Sequence, residues 1–173
     1  MRSERLVYEP LAMRHADGLV AALSDERVGT FIGGPDVTTV AAQQARIRIL
    51  ADGPSGRPDE RWINIVALLP DPTGDESTII GRLEATTYGD WAEIAYLFGP
   101  AWWGNGYATE GTAWLIEHLR SEHGIDECWA AVHPDNGASA RLLDRLGFRR
   151  VDRPTRPMAS CDEVDLVFTR TTR

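Results

Sequence analysis

Apolar and polar positions alternate or recur with helical spacing along most of the chain, and these two periods predict strands and helices respectively. Helix ends are marked by Gly124 and Gly147, which follow the last periodic positions of two segments. The predicted elements, in chain order, are a strand over 5–11, helices over 13–28 and 38–51, strands over 62–69, 78–88 and 91–98, a helix over 107–121, a strand over 128–133, a helix over 136–146, and strands over 148–151 and 164–169. This order predicts an α+β fold: an antiparallel meander followed by one strand–helix–strand crossover.

The turn at Gly89-Asp90 fixes the expected register between the second and third strands of the meander. A two-residue hairpin turn there pairs Tyr88 with Trp91 and Thr86 with Glu93. One face of the hairpin then carries polar and aromatic side chains, and the other is apolar and faces the core. The polar face consists of Glu84, Thr86, Tyr88, Trp91 and Glu93, and the core face of Leu83, Ala85, Ile94, Tyr96 and Phe98.

The stretch GPAWWGNGYATEG at 99–111 places glycines directly before a predicted helix. A P-loop would need Lys and Ser or Thr after the second glycine, where Tyr107 and Ala108 stand instead. A dinucleotide fingerprint would need a small residue at Thr109 and an acid at the far end of the next strand. Two interpretations stay open: a pyrophosphate held by backbone N–H groups at the helix N-terminus, or an ordinary strand-to-helix turn.

Composition narrows the class of protein. The chain has 173 residues, of which 43% are hydrophobic and 25% charged, and this suits one soluble domain over 1–173. A net charge of −8 opposes nucleic-acid binding and is compatible with a cationic acceptor. The two cysteines and four histidines lack metal-site spacing, and no apolar run reaches membrane-spanning length. We therefore expect a cytoplasmic protein, monomeric or homodimeric, with no metal and no membrane partner.

Two motifs in a fixed order resemble one protein family. GPAWWGNGYATEG is followed about twenty residues later by HPDNGASARLLDRLGFRRV, and AEIAYLF precedes both. This combination, over about 78–152, resembles the GNAT superfamily of acyl-CoA-dependent N-acetyltransferases, and its RimJ/RimL-like branch in particular. The resemblance implies a single-domain GNAT-like fold with a mixed, mostly antiparallel twisted sheet. That sheet is flanked by helices and splayed between its fourth and fifth main strands.

The resemblance also implies where acetyl-CoA, the co-substrate, binds. Its pyrophosphate is expected at the loop and helix start, and its pantetheine along a strand whose backbone groups the splay frees. The implied residues are Leu97, Phe98, Trp103, Gly104, Asn105, Gly106, Tyr107, Ala108, Thr109 and Asn136. The chain departs from the family at two positions: Ala101 stands where Gln or Arg is frequent, and Asn105 where Lys or Arg is frequent. A cation for the phosphates would have to come from elsewhere, with Arg141 and Arg145 as candidates.

Glu93 and Ser139 are the candidate catalytic residues. An amine must lose a proton before it attacks a thioester, and the polar hairpin face places Glu93 beside Glu84, where mutual repulsion would raise both pKa values. A solvated face is the alternative, and relatives with an A-E-I strand favour the catalytic interpretation. By the same resemblance Ser139 would protonate the leaving thiolate, although a serine near a helix start also caps backbone N–H groups.

The predicted function is transfer of an acetyl group to a primary amine by direct attack in a ternary complex. The acceptor is a protein N-terminus, of the ribosomal-protein type, or a small amine such as an aminoglycoside. Its cleft is expected between 31–34, the Glu93 face and the 153–162 loop. The alternatives are a non-catalytic acyl-CoA-binding sensor domain and a nucleotide-binding regulatory domain.

Overall fold

The computed structural model describes residues 1–34, 38–55, 59–72, 76–159 and 161–172. The predicted loops over 51–60 and 70–76, and the acceptor loop over 153–162, each include positions outside these ranges. Within the described residues, seven strands form one mixed sheet in the order β1-β2-β3-β4-β5-β7-β6. The strands are β1 Val7–Pro10, β2 Glu60–Pro70, β3 Ser77–Tyr88, β4 Trp91–Phe98, β5 Glu127–Val132, β6 Arg149–Val151 and β7 Leu166–Thr171. The helices are α1 Ala16–Leu23, α2 Glu26–Gly29, α3 Val40–Asp52, α4 Tyr107–His123 and α5 Gly137–Arg145.

The β3–β4 hairpin has the register that the Gly89-Asp90 turn predicts. Tyr88 pairs with Trp91, Thr86 with Glu93 and Glu84 with Ala95. Gly89 has a φ of 64°, in the left-handed region that such a turn requires and glycine adopts without steric cost. The turn therefore decides which side chains of β4 face the core and which face the opposite side.

Strands β4 and β5 are parallel and separate along their length. Among the described residues their ladder contains Trp91–Glu127, Ala92–Cys128 and Glu93–Trp129, and it ends there. Beyond Glu93, β4 stays paired with β3 up to Phe98, while β5 stays paired with β7 up to Val132. A wedge-shaped gap therefore opens at Glu93, and this confirms the splay predicted between the fourth and fifth strands.

Helix α4 packs on the sheet through a stripe of small and apolar residues. The buried positions are Gly111, Thr112, Leu115, Ile116 and Leu119. Thr112 donates its hydroxyl to the Ala108 carbonyl at 2.8 Å, so this buried polar group is satisfied within the helix. The burial of this stripe fixes the direction of the helix, and its N-terminus lies just past the end of β4.

The N-terminal helix is broken, whereas the sequence predicts it to be continuous from Met13 to Val28. A 3₁₀ turn over Met13–His15 leads into α1, which ends at Leu23, and α2 begins at Glu26. The Asp25 carboxylate accepts the backbone N–H of Arg27 at 2.9 Å. Asp25 is thus an N-cap, a competing local hydrogen bond that apolar periodicity does not reveal.

Candidate active site

The glycine-rich loop presents open backbone at the start of α4. Gly104 and Gly106 have φ of 77° and 81°, and a Cβ built on Gly104 would meet no atom within 4 Å. Gly106 is the N-cap, and none of the described side chains caps this end of the helix. The first N–H groups of a helix lack intrahelical partners, and the helix dipole adds positive potential there. Open backbone and an uncapped helix start are the features that the predicted pyrophosphate site over 103–109 requires.

Two side chains of the same loop form hydrogen bonds to nearby backbone carbonyls. The Trp103 indole Nε1 donates to the Phe98 carbonyl at 2.6 Å, although half of Trp103 is exposed. The Asn105 amide nitrogen lies 3.2 Å from the Trp102 carbonyl and 3.1 Å from the Trp103 carbonyl. The Phe98 carbonyl, which belongs to the backbone expected to serve pantetheine, therefore already accepts one hydrogen bond and keeps one lone pair for another donor.

Glu93 is the last residue of β4 that pairs with β5, and so lies where the gap opens. Its side chain is buried, with 6% of the residue exposed. One carboxylate oxygen accepts the backbone N–H of Ala159 at 2.9 Å. The loop between β6 and β7 therefore covers Glu93 from the acceptor side.

The neighbouring carboxylate, Glu84, is balanced by two arginines. Its Oε1 lies 2.7 Å from an Arg46 guanidinium nitrogen and 3.2 Å from Arg82 Nε. Arg46 comes from α3 and Arg82 from β3 itself. The sequence predicts that Glu84 and Glu93 lie side by side, but it does not predict these two arginines. In the structure they balance the negative charge of Glu84.

Ser139 faces the gap from α5 and is hydrogen-bonded twice. Its backbone N–H donates to Asn136 Oδ1 at 3.1 Å, so Asn136 caps the helix. Its hydroxyl lies 2.7 Å from the phenol oxygen of Tyr96 on β4. Burial raises the pKa of Tyr96 to about 12, against the opposing effect of the Ser139 hydrogen bond. Asn136 therefore caps this helix, and the Ser139 hydroxyl contacts the Tyr96 phenol instead of capping it.

A cavity of about 620 Å³ lies near the start of β4, and one of its walls is Ala159, which donates to Glu93. Its walls combine aromatic and aliphatic side chains with one carboxylate, and they comprise Asp59, Tyr88, Trp91, Pro157, Met158 and Ala159. Tyr88 and Trp91 stack with ring centroids 4.5 Å apart. Elsewhere, Phe31 lies 5.6 Å from the His133 ring, at the far end of β5. Of the three segments expected around the acceptor, the hairpin face and the 153–162 segment contribute residues to this cavity, whereas Phe31 lies beside His133 and does not line it.

Comparison with known proteins identifies this arrangement. Residues 5–149 match the family profile described as the Acetyltransferase (GNAT) domain. The chain belongs to the GNAT acetyltransferase family. This confirms the superfamily inferred from the two motifs, and the acetyltransferase fold extends well beyond the 78–152 region that carried them.

Relatives and solved structures agree with this family. The chain is 25% identical over 150 residues to a Bacillus subtilis protein named as the uncharacterized N-acetyltransferase YoaA, covering 87% of this chain and 82% of YoaA. Mycobacterium smegmatis RimJ in complex with CoA-disulfide shares the fold with a TM-score of 0.74 at 22% identity, over 96% of this chain and 81% of that one. The ribosomal-protein-S5-alanine acetyltransferase of Vibrio fischeri does so with a TM-score of 0.75 at 14% identity, over 99% and 96%.

Two polar groups of the acetyltransferase site escape sequence analysis. Tyr96 is assigned to the core face of β4, yet its hydroxyl reaches Ser139; the signal was available, since a buried phenol needs a partner. Arg5 donates to the Asn105 carbonyl of the glycine-rich loop from the N-terminal segment, a contact across 100 residues that no local sequence pattern predicts.

Within the described ranges, no group of three or more His, Cys, Asp or Glu side chains is placed to hold a metal ion. Among the same residues, no helix combines the length and apolar character needed to cross a membrane.

Proposed function

We propose that this acetyltransferase moves an acetyl group from acetyl-CoA to a primary amine by direct attack in a ternary complex, with Glu93 as the base. The observation that carries the proposal is the position of Glu93, buried at the point where β4 and β5 separate. A base at this point borders the gap, and its hydrogen-bond partner Ala159 lines the cavity near the hairpin. That placement suits a group that takes a proton from an attacking amine.

The chain offers backbone and side-chain groups for acetyl-CoA on the other side of the gap. Trp103 to Thr109 would hold the pyrophosphate, Leu97 and Phe98 would line the pantetheine, and Asn136 would stand beside it. When bound, acetyl-CoA supplies an acetyl group activated as a thioester. The open backbone at Gly104 and the uncapped start of α4 support this assignment.

Acetyl transfer requires one proton acceptor and one proton donor. The new N–C bond forms as the C–S bond breaks, so the amine loses a proton and the sulfur gains one. An acceptor amine with a pKa of about 8 to 10.4 is mostly protonated at neutral pH, so it loses one further proton to solvent before it attacks. Glu93 takes the proton that the nitrogen loses as the N–C bond forms. Ser139, whose hydroxyl contacts the Tyr96 phenol, donates the proton that the sulfur gains.

The cavity near the start of β4 favours a particular acceptor. Its apolar walls suit the side chains that flank a peptide amine, and Asp59 offers one carboxylate to its positive charge. A polycationic aminoglycoside would call for several carboxylates in the same space. We therefore place a protein N-terminus ahead of an aminoglycoside, and the ribosomal-protein acetyltransferase among the structures of this fold supports that order.

The test is a thiol-release assay with acetyl-CoA against a panel of N-terminal peptides and aminoglycosides. We expect CoA release with peptides, and the Glu93→Gln variant to lower kcat about a hundredfold or more. Gln keeps an oxygen for the Ala159 N–H, so the loop stays in place. Glu117→Gln changes an exposed glutamate on α4 and serves as the matched control.

Binding of acetyl-CoA should be followed in parallel by thermal unfolding. A site-bound ligand stabilises by about 2.7 kcal/mol at a hundredfold excess over Kd. Stabilisation without turnover on any amine would support the non-catalytic sensor instead. A Glu93→Gln variant with normal kcat would remove Glu93 from the mechanism.

A further inference from the structure

Arg5, outside every catalytic motif, holds the pyrophosphate loop from the N-terminal segment. One guanidinium nitrogen donates to the Asn105 carbonyl at 2.9 Å, and the guanidinium carbon lies 4.6 Å above the Tyr107 ring. A Cβ built on Gly106 would come within 3.4 Å of its other terminal nitrogen. Arg5 therefore contacts or borders three consecutive residues of the loop.

The same guanidinium is paired with an acid in the first turn of α4. Arg5 Nε lies 2.7 Å from Glu110 Oε2, and Glu110 Oε1 accepts the Arg5 backbone N–H at 2.7 Å and the Ser3 hydroxyl at 2.6 Å. Burial acts to raise the pKa of Glu110, but the hydrogen bonds from Ser3 and Arg5 outweigh it and lower the pKa. Glu110 is therefore an anion in the helix turn where a pyrophosphate would bind.

An anion in the first turn stabilises a helix but competes with an anionic ligand for the same positive potential. Glu110 alone would therefore weaken phosphate binding. The guanidinium of Arg5 offsets this charge, and through Asn105 it also fixes the loop between its two left-handed glycines. The loop itself carries Asn105 where family members often have Lys or Arg.

We propose that Arg5 is a positioning residue for the coenzyme A pyrophosphate, which it serves from the N-terminal segment without contacting the phosphates. It acts through the loop, by holding the Asn105 carbonyl and by neutralising Glu110. The inference rests on the proposed use of acetyl-CoA but not on the choice of base or acceptor. It gives a ligand-binding role to a segment 100 residues away from the loop in sequence.

If Arg5 had only a structural role, tying the N-terminal segment to α4, its loss would weaken the binding of every ligand equally. A truncated ligand distinguishes this role from the proposed one, because S-acetylpantetheine keeps the thioester and lacks the pyrophosphate. The experiment measures equilibrium binding of acetyl-CoA by calorimetry and of S-acetylpantetheine by NMR titration. The proteins are the full chain and its Arg5→Gln, Arg5→Lys and Arg2→Gln variants.

We expect Arg5→Gln to raise the Kd of acetyl-CoA about five- to tenfold and that of S-acetylpantetheine less than twofold. Arg5→Lys should recover part of the loss, because it keeps the charge but not the fork that spans Asn105 and Glu110. Arg2→Gln removes a nearby cation and should change neither constant. Equal losses for both ligands, or no loss for acetyl-CoA, would overturn the proposal.

The double variant Arg5→Gln/Glu110→Gln tests the charge argument directly. Removing Glu110 together with Arg5 should restore part of the acetyl-CoA affinity that Arg5→Gln loses. An additional loss would contradict charge compensation. Because these are binding measurements, a wild-type protein that binds acetyl-CoA but acetylates no amine would refute the proposed function and leave this inference standing; one that does not bind acetyl-CoA would refute both.

Discussion

A pair of hydroxyl groups connects the two sides of the active-site gap. The Tyr96 phenol on β4 and the Ser139 hydroxyl on α5 lie 2.7 Å apart. Because burial raises the pKa of Tyr96 to about 12, the phenol keeps its proton throughout the neutral range. If Ser139 gives its proton to the leaving thiolate, the Tyr96 phenol can supply the replacement across this hydrogen bond and is left as a phenolate until it regains a proton.

Removing either hydroxyl tests this role at the level of single residues. We expect Tyr96→Phe and Ser139→Ala each to lower kcat about tenfold or more, with little change in the KM of acetyl-CoA. If the two act as one unit, the double variant should lose no more than the worse single variant. Steady-state kinetics on all three proteins decides this.

The chain offers a matched control in a second tyrosine–serine pair. Tyr8 is buried and its phenol oxygen lies 2.8 Å from the Ser3 hydroxyl. Tyr8→Phe removes a comparable hydrogen bond, to a serine that also donates to Glu110, so any effect should fall on acetyl-CoA binding and kcat should stay within about twofold of the wild-type value. Additive losses in the double variant would instead mean that Tyr96 and Ser139 act separately.

Strand β4 carries most of the candidate site, and its end is placed by close backbone contacts. A Cβ on Gly81 would lie 2.4 Å from the Leu97 carbonyl oxygen and 2.7 Å from the Phe98 ring. A Cβ on Gly99 would lie 2.3 Å from the Ala22 carbonyl oxygen. Glycine at these positions lets β3 and α1 approach the segment that would line pantetheine.

Gly81→Ala should therefore damage both stability and co-substrate binding. We expect a loss of about 2 to 4 kcal/mol in the free energy of unfolding, because backbone and a buried ring must both move. Urea unfolding and acetyl-CoA titration measure the two effects. Gly137→Ala is the control: its Cβ would meet only the end of the Arg141 side chain at 3.1 Å, and alanine favours a helix. A Gly81→Ala variant as stable as Gly137→Ala would contradict the close packing.

Elements governed by local chemistry could be predicted from the sequence, and those governed by distant partners could not. The β3–β4 register follows from one two-residue turn, and both motif-bearing helices begin within a residue of their predicted starts. The break in the N-terminal helix escapes the sequence pattern because Asp25 acts through a hydrogen bond rather than through periodicity. The contacts of Glu93 with Ala159 and of Arg5 with Glu110 span 66 and 105 residues, beyond any local pattern.

For the molecule as a whole, acidic side chains dominate the charge while several weak acids are buried in neutral form. The net charge is −8. Burial raises the pKa values of Tyr8 and Cys128 to about 12, as it does for Tyr96. Each group therefore holds its proton to a higher pH in the folded chain than in the unfolded chain. The free energy of unfolding should therefore decrease at alkaline pH and not, through these groups, near neutral pH.

Cys128 gives the sharpest form of this prediction. A cysteine in the unfolded chain has the ordinary thiol pKa of 9.0, whereas burial raises the pKa of Cys128 in the folded chain to about 12, so the folded chain holds this proton over a wider range. The stabilisation is complete below pH 9 and is lost as pH rises through the folded value, at up to about 1.4 kcal/mol per pH unit. Between about pH 9 and 9.5, where tyrosines of the unfolded chain with a pKa of 10.0 are still mostly protonated, the loss should belong mainly to thiols.

Urea unfolding at about pH 8, 9, 9.5 and 10 tests this with Cys128→Ala, using the slope of stability against pH as the readout. The variant loses some packing at every pH, so its absolute stability is lower, but its slope should be shallower. Burial, and then the nearby Asp165 carboxylate, also raises the pKa of Cys161, and Cys161→Ala measures that second contribution. If Cys128→Ala and the wild type show the same slope, the fold tolerates a Cys128 thiolate, and the interior next to β4 is less isolated from water than its burial indicates.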